Sequence, residues 1–295
     1  MKAKNVTDPA TRQQKWCKVR PIAPGTQHPM RRLLHYVGRA WAFVTARIPG
    51  EHFVISKISE VPKFLREVNA MRYKGKLEMS VFDIEGCYPN MPKETIRFAL
   101  RAITKRIETE EGHTGVWVPT RRDTQACAWK KQQGTMQWIP FQIMLDVMEF
   151  SLDNAFTRMP SGQLLRQQEG IPMGDPLSPG MTIGACAFME DEWMQTLRRE
   201  DKAKFVAKRF MDDILMAYIK DEKWDAEQFI TDFAASQCYQ APLKLEEGRD
   251  GHFLEAKYWI QNNQVRYMMK NDNVNQTTVW RYQHWHSNAP FAQKK

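Results

Sequence analysis

The stretch KRFMDDILMAY, residues 208–218, sets two adjacent carboxylates, Asp212 and Asp213, inside an apolar run of strand-forming residues. Such a run predicts a strand, a tight turn and a second strand, a hairpin whose core side has no place for unpaired charge. Read alone, an Asp-Asp pair is also a plain turn signal, because Asp favours turn positions and tolerates left-handed backbone. A further carboxylate changes the balance: in SVFDIEGCYPNMP, residues 80–92, Asp83 closes another apolar strand after Val81 and Phe82. Two short strands that each deliver Asp at a polar end can converge on one point of a sheet. Carboxylates gathered in this way repel one another unless a cation sits among them, and hard oxygen ligands suit Mg²⁺ or Mn²⁺. Two such ions, about 3.5–4 Å apart, serve an in-line displacement by activating a hydroxyl and steadying a leaving oxygen. Nucleotidyl transfer is therefore the reaction class to expect.

A third stretch, EGIPMGDPLSPG at residues 169–180, carries Gly170 and Gly174, stiffened by Pro172 and Pro176. Its glycines allow backbone to approach a ligand closely, and Ser178 with Pro179 form an N-cap and first-turn pair for a following helix. On its own the stretch is equally an ordinary loop into a helix.

The 295 residues are enough chain for a substantial core. Lys and Arg total 43 against 34 Asp and Glu, a formal charge of +9. The positive residues recur as doublets, Arg31-Arg32, Arg121-Arg122, Lys130-Lys131 and Arg198-Arg199, a pattern that suits a polyanion and equally suits solvated helix faces. Five cysteines without a C-x-x-C pair argue against a zinc site or a disulfide framework, and no apolar run is long enough for a membrane span or a signal core. An intracellular chain with no membrane partner is the expectation, its compartment left open.

Apolar periodicity predicts helices over 30–46, 59–71 (capped by Ser59), 92–107, 141–157, 180–198 and 222–236. Strands are predicted over 77–84, across the 208–218 hairpin, and over 252–260 and 263–269. Residues 108–137 interrupt the pattern as an insertion between two core elements, and their apolar pieces VWV and ACAW are expected to pair as a hairpin. The fold class expected is α+β, with antiparallel strands and helices on one face.

Taken in order, DIEGCYPNMP, GIPMGDPLSP and FMDDI resemble motifs A, B and C of reverse transcriptases, most closely the Penelope-like group related to telomerase. Met173-Gly174 fits that group better than the Q-G of group II intron and retron enzymes. The resemblance runs from about residue 18 to the C-terminus. It implies right-hand polymerase fingers and palm, with an antiparallel palm sheet backed by helices and the thumb largely absent. The implied divisions are fingers over 1–76, palm over 77–107 and 138–270, an insertion over 108–137 in which Lys130 and Lys131 would touch nucleic acid, a solvent-exposed hairpin being the simpler reading, and the start of a thumb connection over 271–295. It implies a metal-binding catalytic triad of Asp83, Asp212 and Asp213, with Asp83 and Asp212 the stronger choices for direct coordination. Nucleotide contacts would come from Arg20 in VRPIA, Tyr88 as a steric gate against a ribose 2′-hydroxyl, Gly174, and Lys244 in APLKLEEG. Template and primer contacts would come from Gly170, Pro172, Ser178, Phe253 and Leu254, the last two in HFLEAKYWI, where Glu255 stands in place of the usual Asp. The alternatives are a Tyr88 that packs under the sheet and a Lys244 that is solvated. His284, Trp285 and His286 read as a packed terminal cluster.

The activity so implied is RNA-directed DNA polymerisation, as in a retroelement. It would use two Mg²⁺ ions, an RNA template, a DNA or RNA primer and dNTPs, with a second polypeptide as a possible source of the thumb. RNA-directed RNA synthesis and a non-catalytic nucleic-acid-binding palm are the alternatives.

Overall fold

Residues Ile214–Ile219 are apolar without alternation and are all buried, which requires cover on both faces of their strand. The computed structural model supplies it. It describes residues 2–7, 14–20, 29–57, 60–71, 75–121, 126–158, 161–222, 224–248, 251–254 and 256–269, with backbone alone for 2–7, 14–20, 157–158, 236–237 and 269. Ser59, Glu255 and residues 271–295, with His284, Trp285 and His286, lie outside the described residues.

In chain order, strands β1 (Lys2–Thr7) and β2 (Gln14–Arg20) pair as a hairpin, followed by helices α1 (Arg31–Thr45) and α2 (Val61–Met71). Strand β3 (Lys76–Ile84) leads into the one-turn helix α3 (Cys87–Asn90) and the long α4 (Lys93–Glu111). Next come β4 (Gly115–Pro119), β5 (Met136–Pro140), α5 (Phe141–Asp153), β6 (Phe156–Arg158) and β7 (Leu164–Arg166). Helix α6 (Ser178–Thr196) and the short α7 (Arg199–Lys202) precede the hairpin β8 (Phe205–Phe210) and β9 (Asp213–Lys220). Helix α8 (Ala226–Asp232) continues as a π-turn to Gln237, and β10 (Leu245–Glu247), β11 (His252–Phe253), β12 (Ala256–Gln261) and β13 (Gln264–Met269) follow.

The central sheet has the order β10-β3-β9-β8, every neighbouring pair antiparallel. Strand alternation sends Phe82, Ile84, Ile214 and Met216 into a core shared with α1, α4, α5 and α6. Leu77, Val81, Leu215, Ala217 and Ile219 point the other way, onto Val61, Phe64, Leu65 and Val68 of α2 and onto Phe253, Ala256, Tyr258 and Val265 of the β11-β12-β13 sheet. The expectation of helices on one face is thereby corrected: both faces are covered, as the unbroken apolar run of β9 demands.

Other departures have local causes. HFLEAKYWI is not one strand, because Leu254 takes φ +54° and turns β11 back onto β12. The helix expected to reach residue 157 stops at Asp153, and β6 begins three residues later. VWV pairs mainly with β5, while ACAW contributes a single bridge, Trp117 with Ala128. That hairpin is bound into the body: Val116, Val118 and Ile139 are buried in the larger core, and α1 holds it through Arg39 Nη1 on the Pro119 carbonyl at 2.7 Å.

Candidate active site

Strand register brings the carboxylates together. Asp83, next to last in β3, lies directly opposite Asp213, the first residue of β9, and Glu246 of β10 lies opposite Asp83 on its other side. Antiparallel partners share a face, and like charges placed opposite one another destabilise a sheet. Asp213 carries the mark of that conflict: burial first, then the charges of Asp212 and Asp83, push its carboxyl up to about 6.

Asp212 sits in the two-residue turn Met211-Asp212, closed by the pairing of Phe210 with Asp213. Met211 has φ +58°, and the Asp212 carbonyl accepts from Ile84 N at 3.0 Å, which pins the turn to the end of β3. Beside it, Glu85 N donates to the Lys244 carbonyl at 2.8 Å, so Lys244 is held at the end of the same strand with its side chain exposed.

A cavity of about 300 Å³ opens at this point, lined by Tyr88, Met173, Gly174, Asp175, Ser178, Pro179 and Asp212. All three motif stretches thus meet in one place. Tyr88 is half-buried on α3; burial raises its phenol to about 12, against the opposing effect of a hydrogen bond with Thr182 on α6. The phenol is therefore neutral, its hydroxyl held by Thr182. Next to it the buried Cys87 thiol is pushed up by its hydrogen bond with Cys186 and by burial, which keeps it protonated.

The loop before α6 divides its glycines between two tasks. Gly170, at φ +76°, lies flat against the backbone of α3: a Cβ there would stand 2.4 Å from the Pro89 carbonyl oxygen and 2.5 Å from that of Tyr88. Ile171 N then donates to the Tyr88 carbonyl at 2.7 Å. The close approach expected toward a ligand is, at Gly170, an approach to Tyr88, and Gly174 is the glycine that faces the cavity. Ser178 does not cap α6; its buried hydroxyl donates inward to the Pro172 carbonyl, and Pro172 is itself buried. Asp175 instead closes a turn just ahead of the helix, its Oδ1 accepting from Leu177 N at 2.7 Å and its Oδ2 from Ser151 Oγ at 2.9 Å, while Leu177 at the N-cap position offers no side-chain cap. Sequence reasoning passed over Asp175, although an Asp followed by Pro ahead of a helix is a turn signal.

Phe253 is fully buried in the second core and Leu254 is half-buried, so the Phe253 ring packs rather than presenting itself to a primer. Arg20 ends β2, but its side chain is outside those described. Lys130 and Lys131 are exposed, with Lys131 Nζ 5.3 Å from the centre of the Trp117 ring.

Among the described residues no three His, Cys, Asp or Glu side chains form a ready-made metal cage. The donor set still suits Mg²⁺, which takes one or two carboxylates and completes its shell with water and substrate phosphates. Burial is the larger cause of the raised Asp213 carboxyl; the part that comes from the charges of Asp212 and Asp83 is the repulsion that a divalent cation would relieve.

No family model matches the sequence, and no curated protein does. Solved structures do match. Apo telomerase from Candida tropicalis superposes with a TM-score of 0.52 at 17% identity over 78% of this chain and 38% of that one. Telomerase from Candida albicans, in complex with a TWJ fragment of telomeric RNA, gives 0.54 at 15% identity over 76% and 36%. The RNA-dependent RNA polymerase of bacteriophage phi12 gives 0.45 at 12% identity over 78% and 32%. This chain spans less than half the length of each, and what the telomerase likeness establishes is the fold, a polymerase palm with its antiparallel sheet.

Proposed function

We propose that the protein is a nucleotidyltransferase of the RNA-directed DNA polymerase type, extending a primer 3′-hydroxyl with dNTPs along an RNA template. The observation that carries the reading is the register of Asp83 on Asp213, with Asp212 in the adjoining turn and in the wall of the cavity that Tyr88 also lines. Asp83, Asp212 and Asp213 are the residues that would hold divalent ions. When bound, these ions would lower the pKa of the attacking hydroxyl and neutralise charge on the leaving pyrophosphate. The protein's own residues do the rest. Gly174 leaves the cavity wall open to a sugar or base, and the anchored Tyr88 ring occupies space that a ribose 2′-hydroxyl would need. Lys244, exposed at the end of β3, stands ready to face the departing phosphates, and Arg20 is assigned to the triphosphate.

Primer extension tests this reading: dTTP incorporation on oligo(dT)-primed poly(rA) with Mg²⁺ and then Mn²⁺, comparing the intact chain with Asp212→Ala. Extension that disappears in the variant is the expected result. Template binding that is indifferent to Asp212→Ala, with no extension by either protein, would reject catalysis in favour of a binding palm. Equal use of ribonucleotides would reject DNA synthesis.

A further inference from the structure

A fully buried ion pair lies beneath the turn that carries Asp212. Arg209 on β8 and Glu190 on α6 both have side chains at 0% exposure, and Arg209 Nε donates to Glu190 Oε1. Tyr239 Oη donates to the same oxygen at 2.7 Å, and Phe53 N donates to Oε2 at 2.9 Å. Burying two charges costs more than their attraction commonly returns, and apolar side chains of similar volume often serve stability as well. Stability is thus a poor account of the pair.

The remaining guanidinium contacts give a better one. Arg209 Nη1 donates to the Met211 carbonyl at 2.7 Å, and Nη2 reaches the Ile183 carbonyl on α6 at 3.4 Å. Met211 is a side-chain-bearing residue at φ +58°. Such a conformation is costly and persists only where its surroundings hold it. Its carbonyl belongs to the peptide whose nitrogen is that of Asp212, so whatever fixes this peptide plane also aims Asp212. The backbone of Arg209 is fixed in turn, its N donating to the Phe53 carbonyl at 2.6 Å and its carbonyl accepting from Ile55 N at 2.9 Å.

We propose that Arg209, oriented by Glu190, is a positioning residue that locks the Met211-Asp212 peptide and thereby sets Asp212 against Asp83 and Asp213. The catalytic consequence rests on the polymerase reading above; the mechanical one does not.

The discriminating variant is Arg209→Lys. It keeps a buried cation for Glu190 but lacks the planar fork that reaches Glu190 and Met211 together. A second variant, Arg209→Met with Glu190→Gln, removes both charges and leaves an acceptor for Tyr239. Two readouts are taken on folded protein: amide hydrogen exchange of the 208–216 segment, and steady-state primer extension. Expected are a melting temperature close to that of the parent, faster exchange confined to the turn, and a fall in kcat of about 10- to 100-fold, as for a reacting group displaced by up to an ångström. The KM for dNTP should move little. Turn amides as protected as in the parent would overturn the inference, as would loosened amides with full turnover per folded molecule. If the parent itself fails to extend a primer, the polymerase reading falls, and the exchange result alone decides whether Arg209 holds the turn.

Discussion

Asp213 combines two facts that pull against each other, a first position in a buried strand and two carboxylate neighbours, Asp212 in the turn before it and Asp83 opposite it on β3. Burial, and after it the charges of Asp212 and Asp83, push its carboxyl up to about 6 in the folded protein, above the ordinary carboxylate range of about 4. The folded state therefore binds the proton more tightly than the unfolded chain, and stability is lost as pH rises from about 4 to about 6. In chelator, Asp213→Asn should raise the melting temperature at pH 7.5 and converge on the parent below pH 4; an equal gap at both pH values would contradict this. Tyr88 offers a second test. Replacing its anchored ring by Ala removes the obstacle to a 2′-hydroxyl, so Tyr88→Ala should narrow the preference for dTTP over UTP by about ten-fold or more, the scale of roughly 1.4 kcal/mol per decade. An unchanged ratio would make Tyr88 a packing residue.

The loop 169–177 shows how one element can serve another. Because Gly170 lies against the Tyr88-Pro89 backbone, Gly170→Ala should cost about 1–3 kcal/mol in denaturant unfolding, through overpacking and a positive φ. It should also weaken sugar discrimination by displacing α3. The element boundaries show what was legible in the sequence. Asp83 at a strand end and Asp212-Asp213 in a hairpin were readable because alternation and turn chemistry are local. That Asp83 would face Asp213 in register was not, since pairing joins residues 130 positions apart in the chain. Nor was the break at Leu254, where a Leu adopts a backbone usually left to Gly or Asn. Arg209 reads as one more basic residue, and its burial depends on Glu190 arriving from another element. Phe253 was assigned to a primer from motif position, whereas its ring completes the second core.

At the scale of the whole molecule, the +9 charge predicts that binding to a primer-template duplex is largely a matter of phosphate contacts. Its affinity should fall linearly on a log-log plot against salt, by the same slope for the parent and for Asp212→Ala; fluorescence anisotropy between 50 and 200 mM salt measures it. A flat salt response would remove the polyanion from the account. One last consequence follows from the segment Phe53–Ile55, whose backbone bonds to Arg209 run along the outer side of β8. At the opposite end of the sheet, β10 is only three residues long and displays Glu246 and Glu247 to solvent. One border is bridged at Arg209 and the other is brief and acidic. A strand from a second molecule therefore finds little on which to register, and this strongly apolar sheet is guarded against edge-to-edge aggregation.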